Sequence, residues 1–331
     1  MASSLQTDFS VYRSRRALVL GASGFIGRCV AGALSAAHAD LFLVARDANR
    51  LAEVCSAYEI RGEILAADLT VPGAFTKVHD TTRPDITFNL AGCVVDSAEH
   101  DAAMAESLNA NLVREAAQVL ASQSATDWPG LRLVHAGSGK EYGNVHGLVT
   151  EDLPPAPHNL YGRTKLAGTH ALQAAVKSNK LRAVCARLFS VYGPDERPGR
   201  LLHSLLGAAR SKTALALTGG EQLRDFTYVG EVAEGLLRLG CVRGSVPAVV
   251  HLATGTLTTV RAFAECASDL LHMPPGQLQF GTLPERVDEF RQGRVSTRLL
   301  EQTVGWRPTL AVRDGIRETL AFESRRCGMV T

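Results

Sequence analysis

The sequence has no closely spaced pair of cysteines, no long apolar run and almost no net charge. Its seven cysteines are scattered over 331 residues, which excludes a CxxC redox motif or a zinc site built from such pairs. We expect reduced thiols, no metal site and a cytoplasmic protein. No stretch of about 18 apolar residues occurs, so no membrane span is expected. The formal net charge of +2 gives no electrostatic reason to expect nucleic acid or a membrane surface as a partner.

The first 16 residues are polar and contain no apolar core of signal-peptide length. Three arginines, Arg13, Arg15 and Arg16, lie at the end of this segment. We therefore predict that residues 1–16 form a solvated, disordered tail.

Short apolar runs alternate with helical patterns through the first half of the chain. Ile26, Val30 and Leu34, for example, recur at helical spacing. Strands that alternate with helices predict a parallel sheet with right-handed crossovers. The predicted fold class is therefore α/β, with a Rossmann-type doubly wound sheet over residues 17–193. The predicted strands are Ala17–Gly21, Leu41–Ala45, Glu63–Ala66, Ile86–Leu90, Leu131–Ala136 and Ala183–Phe189, with helices over about 102–121 and 161–177.

After Gly193 and Pro194 the regular alternation loosens. Helical patterns cover about 201–211, 229–239, 260–271 and 312–323, and short strands are expected near Leu215 and Val249. We interpret residues 194–331 as mainly a smaller C-terminal α/β lobe for the substrate, from which the chain can cross back into the sheet. Such a lobe would cover the carboxyl edge of the sheet, where ligands of open α/β folds bind.

A glycine-rich turn, GASGFIG, joins the first predicted strand to the first predicted helix. Its glycines let the backbone turn tightly and approach a pyrophosphate, and the helix start supplies free N–H donors. The spacing is GxxGxxG, and its position after a strand favours a dinucleotide site. The residues expected to contact the cofactor here are Gly21, Ser23, Gly24, Phe25, Ile26 and Gly27.

The end of the second predicted strand indicates which dinucleotide is bound. An acidic residue there binds a ribose 2′-hydroxyl, whereas an arginine accommodates a 2′-phosphate. Arg46 and Asp47 stand together at this position, so both interpretations remain open. We predict NADP(H) in preference to NAD(H), with Arg46 as the phosphate contact.

The ends of the third and fourth strands also carry candidate cofactor contacts. Asp68 can accept a hydrogen bond from the adenine amino group, and the small pair Ala91 and Gly92 lets a ligand lie close to the backbone. Leu69 and Leu90 are their apolar neighbours. These positions carry weight in combination, because each alone is common at strand ends.

Tyr161 and Lys165 are four residues apart at a predicted helix start, so both side chains lie on one helical face. A neighbouring ammonium favours the phenolate, which would bring the phenol toward the range used in acid–base catalysis. Lys165 can also hydrogen-bond the nicotinamide ribose. Ser138, at the end of the fifth strand, can hydrogen-bond the substrate oxygen. We predict that Ser138, Tyr161 and Lys165 form the catalytic site.

At these residues the sequence resembles the extended short-chain dehydrogenase/reductase family, in its nucleotide-sugar epimerase, dehydratase and ketoreductase branch. The resemblance extends from Ala17 to about Leu320. Besides the glycine loop, the matching motifs are NLAG at 89–92, SGKEYG at 138–143, YGRTK at 161–165, RLFSVYGP at 187–194, RDFTYV at 224–229 and VGWRP at 304–308.

The resemblance implies a nucleoside diphosphate sugar as substrate and a homodimer as the assembly. It assigns Arg224 and Arg286 to the diphosphate, since guanidinium groups bind phosphate bidentately. It also assigns Leu188 to the cofactor site. The complete expected substrate set is Ser138, Lys140, Ser190, Arg224 and Arg286.

Two departures from the family pattern narrow the reaction. Dehydratases of this branch carry an acidic pair where this chain has Gly139 and Lys140, which argues against dehydration. Ser190 replaces an asparagine that is frequent at this position of the family. The predicted reaction is reduction of a 4-keto sugar by NADPH, with Tyr161 as proton donor. The alternatives are a 4-epimerase that retains NAD, a ketoreductase for a non-sugar natural product, and a non-catalytic NAD(P)-binding sensor.

Overall fold

The computed structural model describes residues 9–93, 100–123, 126–178, 180–285 and 289–328. In chain order its strands are β1 Arg16–Leu20, β2 Asp40–Ala45, β3 Glu63–Ala66, β4 Ile86–Asn89, β5 Leu133–Ser138, β6 Leu148–Val149, β7 Ala183–Leu188, β8 Ser190–Tyr192, β9 Leu215–Leu217, β10 Leu223–Arg224, β11 Phe226–Tyr228, β12 Val249–Leu252, β13 Thr258–Thr259, β14 Leu278–Phe280 and β15 Arg294–Val295. Its α-helices are α1 Phe25–Ala36, α2 Ala48–Ala57, α3 Ala74–Thr82, α4 His100–Glu106, α5 Leu112–Ser122, α6 Leu160–Lys177, α7 Leu201–Ser211, α8 Val229–Gly240, α9 Val260–Leu270, α10 Arg298–Val304 and α11 Val312–Gly328.

Within these described ranges, seven parallel strands form one sheet in the order β3-β2-β1-β4-β5-β7-β12. The central strands are apolar on both faces because helices cover both faces. In β1, Ala17 and Val19 pack into one buried cluster, while Leu18 and Leu20 pack into the other. The predicted α/β doubly wound sheet, with smaller C-terminal strands beside it, is confirmed.

The predicted long helix over 102–121 is interrupted. α4 and α5 are separated by a π-helical segment at Ser107–Asn111, which periodicity alone does not distinguish from regular helix. α6 packs closely on this segment, because a Cβ on Gly168 would lie 2.1 Å from the carbonyl oxygen of Asn109. The predictions did not include α2, α3 and α10.

The chain beyond residue 193 does not stay outside the sheet. β12 pairs with β7 and becomes the outermost strand next to it, and α8 packs against α1. The rest of this segment contains two-stranded sheets, including β9 with β14 and β10 with β13. The chain therefore crosses back into the sheet, as the sequence analysis allowed. The division of the chain at residue 193 stays a prediction.

The predicted disordered tail is wrong for residues 9–16. Tyr12 is fully buried, and its hydroxyl donates a 2.7 Å hydrogen bond to the carbonyl oxygen of Leu237 in α8. Arg15 pairs with Asp127, and Arg16 begins β1. The aromatic ring of Tyr12 buries apolar surface in the core. The stabilisation from this burial is larger than the tendency of its polar neighbours to stay in solvent. Residues 1–8 lie outside the described residues.

Candidate active site

The glycine-rich turn leads from β1 into α1, as predicted. Gly21 has φ +76°, and a Cβ there would lie 2.8 Å from the backbone nitrogen of Ala91. A Cβ on Gly27 would lie 2.1 Å from the carbonyl oxygen of Gly21. Gly24 precedes α1 as its N-cap residue, so the free N–H groups of the first turn begin here. This tightly folded backbone fits a dinucleotide pyrophosphate, because the glycines let a phosphate approach the backbone and those donors closely.

At the end of β2, Arg46 and Asp47 are both exposed. The Asp47 carboxylate accepts a 3.0 Å hydrogen bond from the backbone nitrogen of Arg50 and so caps α2. Asp68 is also exposed and accepts hydrogen bonds from the backbone and hydroxyl of Thr70, which lower its pKa. Asp47 therefore already has a structural role, whereas the guanidinium of Arg46 lies at the surface beside it.

The three predicted catalytic residues line one cleft at the carboxyl end of the sheet. Ser138 is the last residue of β5, and Tyr161 and Lys165 lie in the first turns of α6. Lys165 is buried, and its ammonium donates a 3.0 Å hydrogen bond to the carbonyl oxygen of Ala136. A Cβ on Gly92 would lie 3.2 Å from this Lys165 nitrogen. The end of β4 and the first turns of α6 thus meet at the lysine.

The expectation of an acidified phenol is not met in this structure. Burial raises the pKa of Tyr161, and this effect exceeds the lowering by a hydrogen bond with Ser138 and by the charges of Arg200 and Arg197. Burial likewise lowers the pKa of Lys165. Desolvation penalises the charged form of each group, so the phenol is held in its protonated form at neutral pH.

The cleft has a volume of about 510 Å³ and contains most of the predicted site residues. Gly21, Ser23, Gly27, Arg46, Asp68, Leu69 and Ala91 lie away from its lining, and Arg286 lies outside the described residues. The predicted residues that line the cleft are Gly24, Phe25, Ile26, Leu90, Gly92, Ser138, Lys140, Tyr161, Lys165, Leu188, Ser190 and Arg224.

Arg224, the predicted diphosphate ligand, is largely buried in the cleft wall. Its guanidinium forms an ion pair with Glu289 and donates a 2.8 Å hydrogen bond to the carbonyl oxygen of Phe290. Burial lowers the pKa of Arg224, and the neighbouring charge of Arg200 lowers it further. Arg200 also lines the cleft, where its Nε donates a 3.4 Å hydrogen bond to Oε1 of Glu196, and two neighbouring guanidinium groups attract an anion. Arg200, which the sequence analysis did not single out, is the second arginine at this place.

The structure also brings in two polar side chains that the sequence analysis missed. Glu196 and Gln292 are buried, with 7% and 6% of their surface exposed, and both line the cleft. Among the described residues, Oε2 of Glu196 and both amide atoms of Gln292 have no hydrogen-bond partner. Buried polar groups normally find partners, so these atoms suit a polar ligand. No local motif marks either residue.

Asn109 lies in the π-helical segment and holds the end of β4 beside α6. Its amide nitrogen donates to the carbonyl oxygen of Cys93 at 2.8 Å and to the hydroxyl of Thr164 at 3.0 Å. Its amide oxygen accepts from the backbone nitrogen of Cys93 at 3.1 Å. Because Thr164 precedes Lys165, the asparagine supports the position of the lysine.

Within the described ranges, His, Cys, Asp and Glu side chains form no group of three able to hold a metal ion. In the same part of the chain no helix has the length and apolar character needed to cross a membrane. The glycine loop on a parallel sheet, with a serine, tyrosine and lysine at its carboxyl edge, defines an NAD(P)-dependent enzyme of the short-chain dehydrogenase/reductase class.

Comparison with known proteins identifies the branch. Residues 17–242 match the model of the NAD dependent epimerase/dehydratase family. The chain is 31% identical over 327 residues to a dTDP-6-deoxy-L-talose 4-dehydrogenase (NAD(P)(+)) of Kitasatospora kifunensis, covering 93% of this chain and 96% of that one. It is 28% identical over 325 residues to a GDP-6-deoxy-D-mannose reductase of Pseudomonas aeruginosa, covering 94% and 98%.

Among solved structures, the fold resembles MoeE5 in complex with UDP-glucose and NAD. The TM-score is 0.80 at 24% identity, with 94% of this chain and 99% of that chain covered. The chain belongs to the NAD-dependent epimerase/dehydratase family, the extended short-chain dehydrogenases/reductases that act on nucleotide sugars, and is an NAD(P)-dependent enzyme.

Proposed function

We propose that this enzyme reduces the 4-keto group of a nucleoside diphosphate sugar with NADPH. The observation that carries the proposal is the composition of the cleft. It combines a reaction centre of Ser138, Tyr161 and Lys165 with buried, unpartnered polar atoms on Glu196 and Gln292. A sugar, with its several hydroxyl groups, satisfies such atoms, whereas an apolar substrate leaves them desolvated and unpaired.

The two ends of the cleft have complementary roles in this proposal. Arg200 and Arg224 bind the diphosphate, and Arg224 exchanges part of its contact with Glu289 for phosphate oxygens. Lys140 has its ammonium 5.8 Å from the centre of the Tyr161 ring, so it contacts the sugar near the reacting carbon. Ser190 lines the cleft beside them. The relatives named above as a dehydrogenase and a reductase of deoxy-sugar nucleotides support this substrate class.

A bound nicotinamide supplies the hydride that reduces the carbonyl carbon. Ser138 hydrogen-bonds the carbonyl oxygen, and Tyr161 donates its phenolic proton to that oxygen, so that a ketone becomes an alcohol. The raised pKa of Tyr161 suits a proton donor, because the group arrives protonated. Lys165, with its ammonium next to Gly92, stabilises the phenolate that remains and binds the nicotinamide ribose.

The choice of NADPH rests on the end of β2. Asp47 is engaged as the cap of α2, and Arg46 is exposed where a ribose 2′-phosphate would lie. Arg46→Ser should raise the KM for NADPH by about 10- to 100-fold, because a hydrogen bond to a charged group contributes about 1.5–3 kcal/mol. The KM for NADH should stay nearly unchanged. Steady-state kinetics with both cofactors measure this, and equal losses for the two cofactors would contradict the assignment.

The proposed reaction is tested by mixing the protein with NADPH and a 4-keto-6-deoxy sugar nucleotide. Reduction consumes one NADPH for each molecule of product, so the absorbance of NADPH falls in proportion to the product formed. A 4-epimerase that retains NAD instead interconverts two sugar nucleotides without net oxidation of NADPH. Mass spectrometry of small molecules that co-purify with the protein separates the two, since a retained NAD⁺ favours the epimerase.

Arg224→Ala distinguishes a nucleotide sugar from a non-sugar ketone. We expect it to raise the KM of the sugar nucleotide by about 10-fold or more, because it removes a charged hydrogen bond to phosphate. Reduction of a small ketone without a phosphate group should change little. If Arg224→Ala left the KM of every accepted substrate unchanged, the proposal would fail. The alternative, a ketoreductase for an apolar natural product, would then be favoured.

We also expect the protein to assemble as a homodimer and to work in the cytoplasm. α6 carries Tyr161 and Lys165, and α5 packs against it. Because members of the family pair through the helices of this tyrosine and lysine, we expect a homodimer, which sedimentation of the purified chain measures. The six cysteines whose side chains the structure describes are free thiols, which fits a reducing cytoplasm. A non-catalytic sensor needs the glycine loop alone, and the complete set of catalytic residues in one cleft argues against it.

A further inference from the structure

A buried carboxylate lies directly beneath the reaction centre. Glu141 is fully buried, and its Oε1 accepts a 2.8 Å hydrogen bond from the backbone nitrogen of Ser138. The Ser138 hydroxyl in turn accepts from the backbone nitrogen of Lys140 at 3.2 Å, which completes a capping box over the short 3₁₀ turn. Glu141 thus determines how the chain turns at the point where Ser138 enters the cleft.

The neighbouring strand, β7, supplies the hydrogen-bond donor for the second oxygen of this carboxylate. Arg187 of β7, which is 2% exposed, donates from both Nε and a terminal nitrogen to Oε2 of Glu141, each at 2.8 Å. Arg187 is in register with Gly137 of β5. A Cβ on Gly137 would lie 2.9 Å from Oε1 of Glu141, so the carboxylate occupies space that glycine leaves open.

A buried ion pair of this kind is weak evidence for stability. The cost of removing both charges from water offsets their attraction, and an apolar pair of similar volume is often equally stable. The position of the pair suggests a different use, because the carboxylate raises the pKa of both Tyr161 and Lys165. Charged or titratable groups from several elements face this region. They are Lys140 and Tyr142 on the 3₁₀ turn, Tyr161 and Lys165 on α6, Cys185 and Arg187 on β7, His135 on β5, His251 on β12, Glu151 after β6, and Arg197 and Arg200 before α7.

We propose that Glu141 is a positioning residue of this enzyme, which orients Ser138 through its backbone and places a buried negative charge close to Tyr161 and Lys165. The proposal rests on the proposed acid–base function of Tyr161. Arg187 holds the carboxylate in place through its two hydrogen bonds from β7. The residue contacts neither substrate nor cofactor, so its effect is exerted through the three cleft residues.

Glu141→Gln tests the charge while keeping the shape. The amide oxygen can still accept from the backbone nitrogen of Ser138, but the amide nitrogen takes the place of Oε2, so the variant removes the negative charge together with the two hydrogen bonds from Arg187. The pKa of Tyr161 and that of Lys165 should both fall, and because reduction needs a protonated Tyr161, the alkaline limb of the kcat–pH profile should move to lower pH. At neutral pH kcat should change little, because burial still holds the phenol protonated, and the loss of kcat should grow as the pH rises toward the shifted limb, with KM changed much less.

Glu234→Gln is the matched control. Glu234 is 6% exposed and pairs with Arg238 within α8, away from the cleft, so its loss should leave the pH profile unchanged. Circular dichroism and thermal unfolding establish that each variant is folded. Should Glu141→Gln fail to fold, Glu141→Leu/Arg187→Met removes both charges together and is measured in the same way, with a larger fall in kcat expected because the Ser138 acceptor is also lost.

A folded variant with the wild-type kcat and the wild-type alkaline limb overturns the proposal. If the unaltered protein itself does not reduce the 4-keto sugar, the proposed function has failed instead. The role of Glu141 is then measured by ultraviolet titration of Tyr161, taken as the difference between the chain and its Tyr161→Phe variant. A lower Tyr161 pKa in the Glu141→Gln background supports the charge effect, and an unchanged one overturns it.

Discussion

Tyr161→Phe should lower kcat by about 10²- to 10⁴-fold, because the variant loses the phenolic proton that general acid catalysis delivers to the substrate oxygen. The ring itself remains, so packing in the cleft and the affinity for the dinucleotide should change little. Burial raises the pKa of this phenol, so the loss should appear across neutral pH. Single-turnover kinetics with NADPH and a 4-keto sugar nucleotide measure the chemical step directly.

Tyr58→Phe is the control for this substitution. Its hydroxyl donates a 2.6 Å hydrogen bond to Asp195, and it is absent from the residues that line the cleft. We expect Tyr58→Phe to keep a kcat close to that of the unaltered enzyme. Equal rates for Tyr161→Phe and the unaltered chain would remove the phenol from the mechanism.

Gly27→Ala should weaken dinucleotide binding by about 10- to 100-fold, or prevent the loop from folding. The new Cβ would lie 2.1 Å from the carbonyl oxygen of Gly21 and 3.1 Å from Cα of Ala22, so backbone must move on one side or the other. Overpacking of this kind costs about 1–3 kcal/mol, and each 1.4 kcal/mol is a tenfold change in affinity. Fluorescence titration with NADPH measures the dissociation constant.

Gly32→Ala provides the comparison within the same helix. A Cβ there would meet one side-chain atom, of Ile60, at 4.0 Å, which is an ordinary contact. Alanine has the higher helix propensity, so this variant should bind NADPH as before and be slightly more stable. If Gly27→Ala also bound NADPH with unchanged affinity, the loop would not be the pyrophosphate site.

Much of the fold follows from local pattern. Short apolar runs predict β1, β2, β4 and β7 to within a residue or two, because strands buried on both faces are continuous apolar runs. The same reasoning does not detect the π-helical segment at Ser107–Asn111, since this single turn is shorter than the window over which a helical period is recognised. Nor does it establish that Tyr12 is buried, because the partner carbonyl belongs to Leu237, 225 residues away.

Some features of the candidate site likewise follow from local sequence pattern, and others depend on tertiary contacts. Tyr161 and Lys165 share a face because helical geometry places residues four apart together. Glu141 was open to prediction too, since Ser138 and a glutamate three residues later form the sequence signature of a capping box. The pairing of that glutamate with Arg187 depends on which strand lies next to β5, and the chain order does not specify it.

By itself, the sequence determined the glycine loop, the place of Ser138 at the end of a strand and the helical face shared by Tyr161 and Lys165, because each depends on backbone geometry over a few residues. The tertiary structure alone decided that β12 completes the sheet, that Arg200, Glu196 and Gln292 join Arg224 in one cleft, and that the Tyr161 phenol is held protonated. The reason is physical: burial and charge act through space, so a proton affinity depends on every group that surrounds a side chain, however distant in the chain.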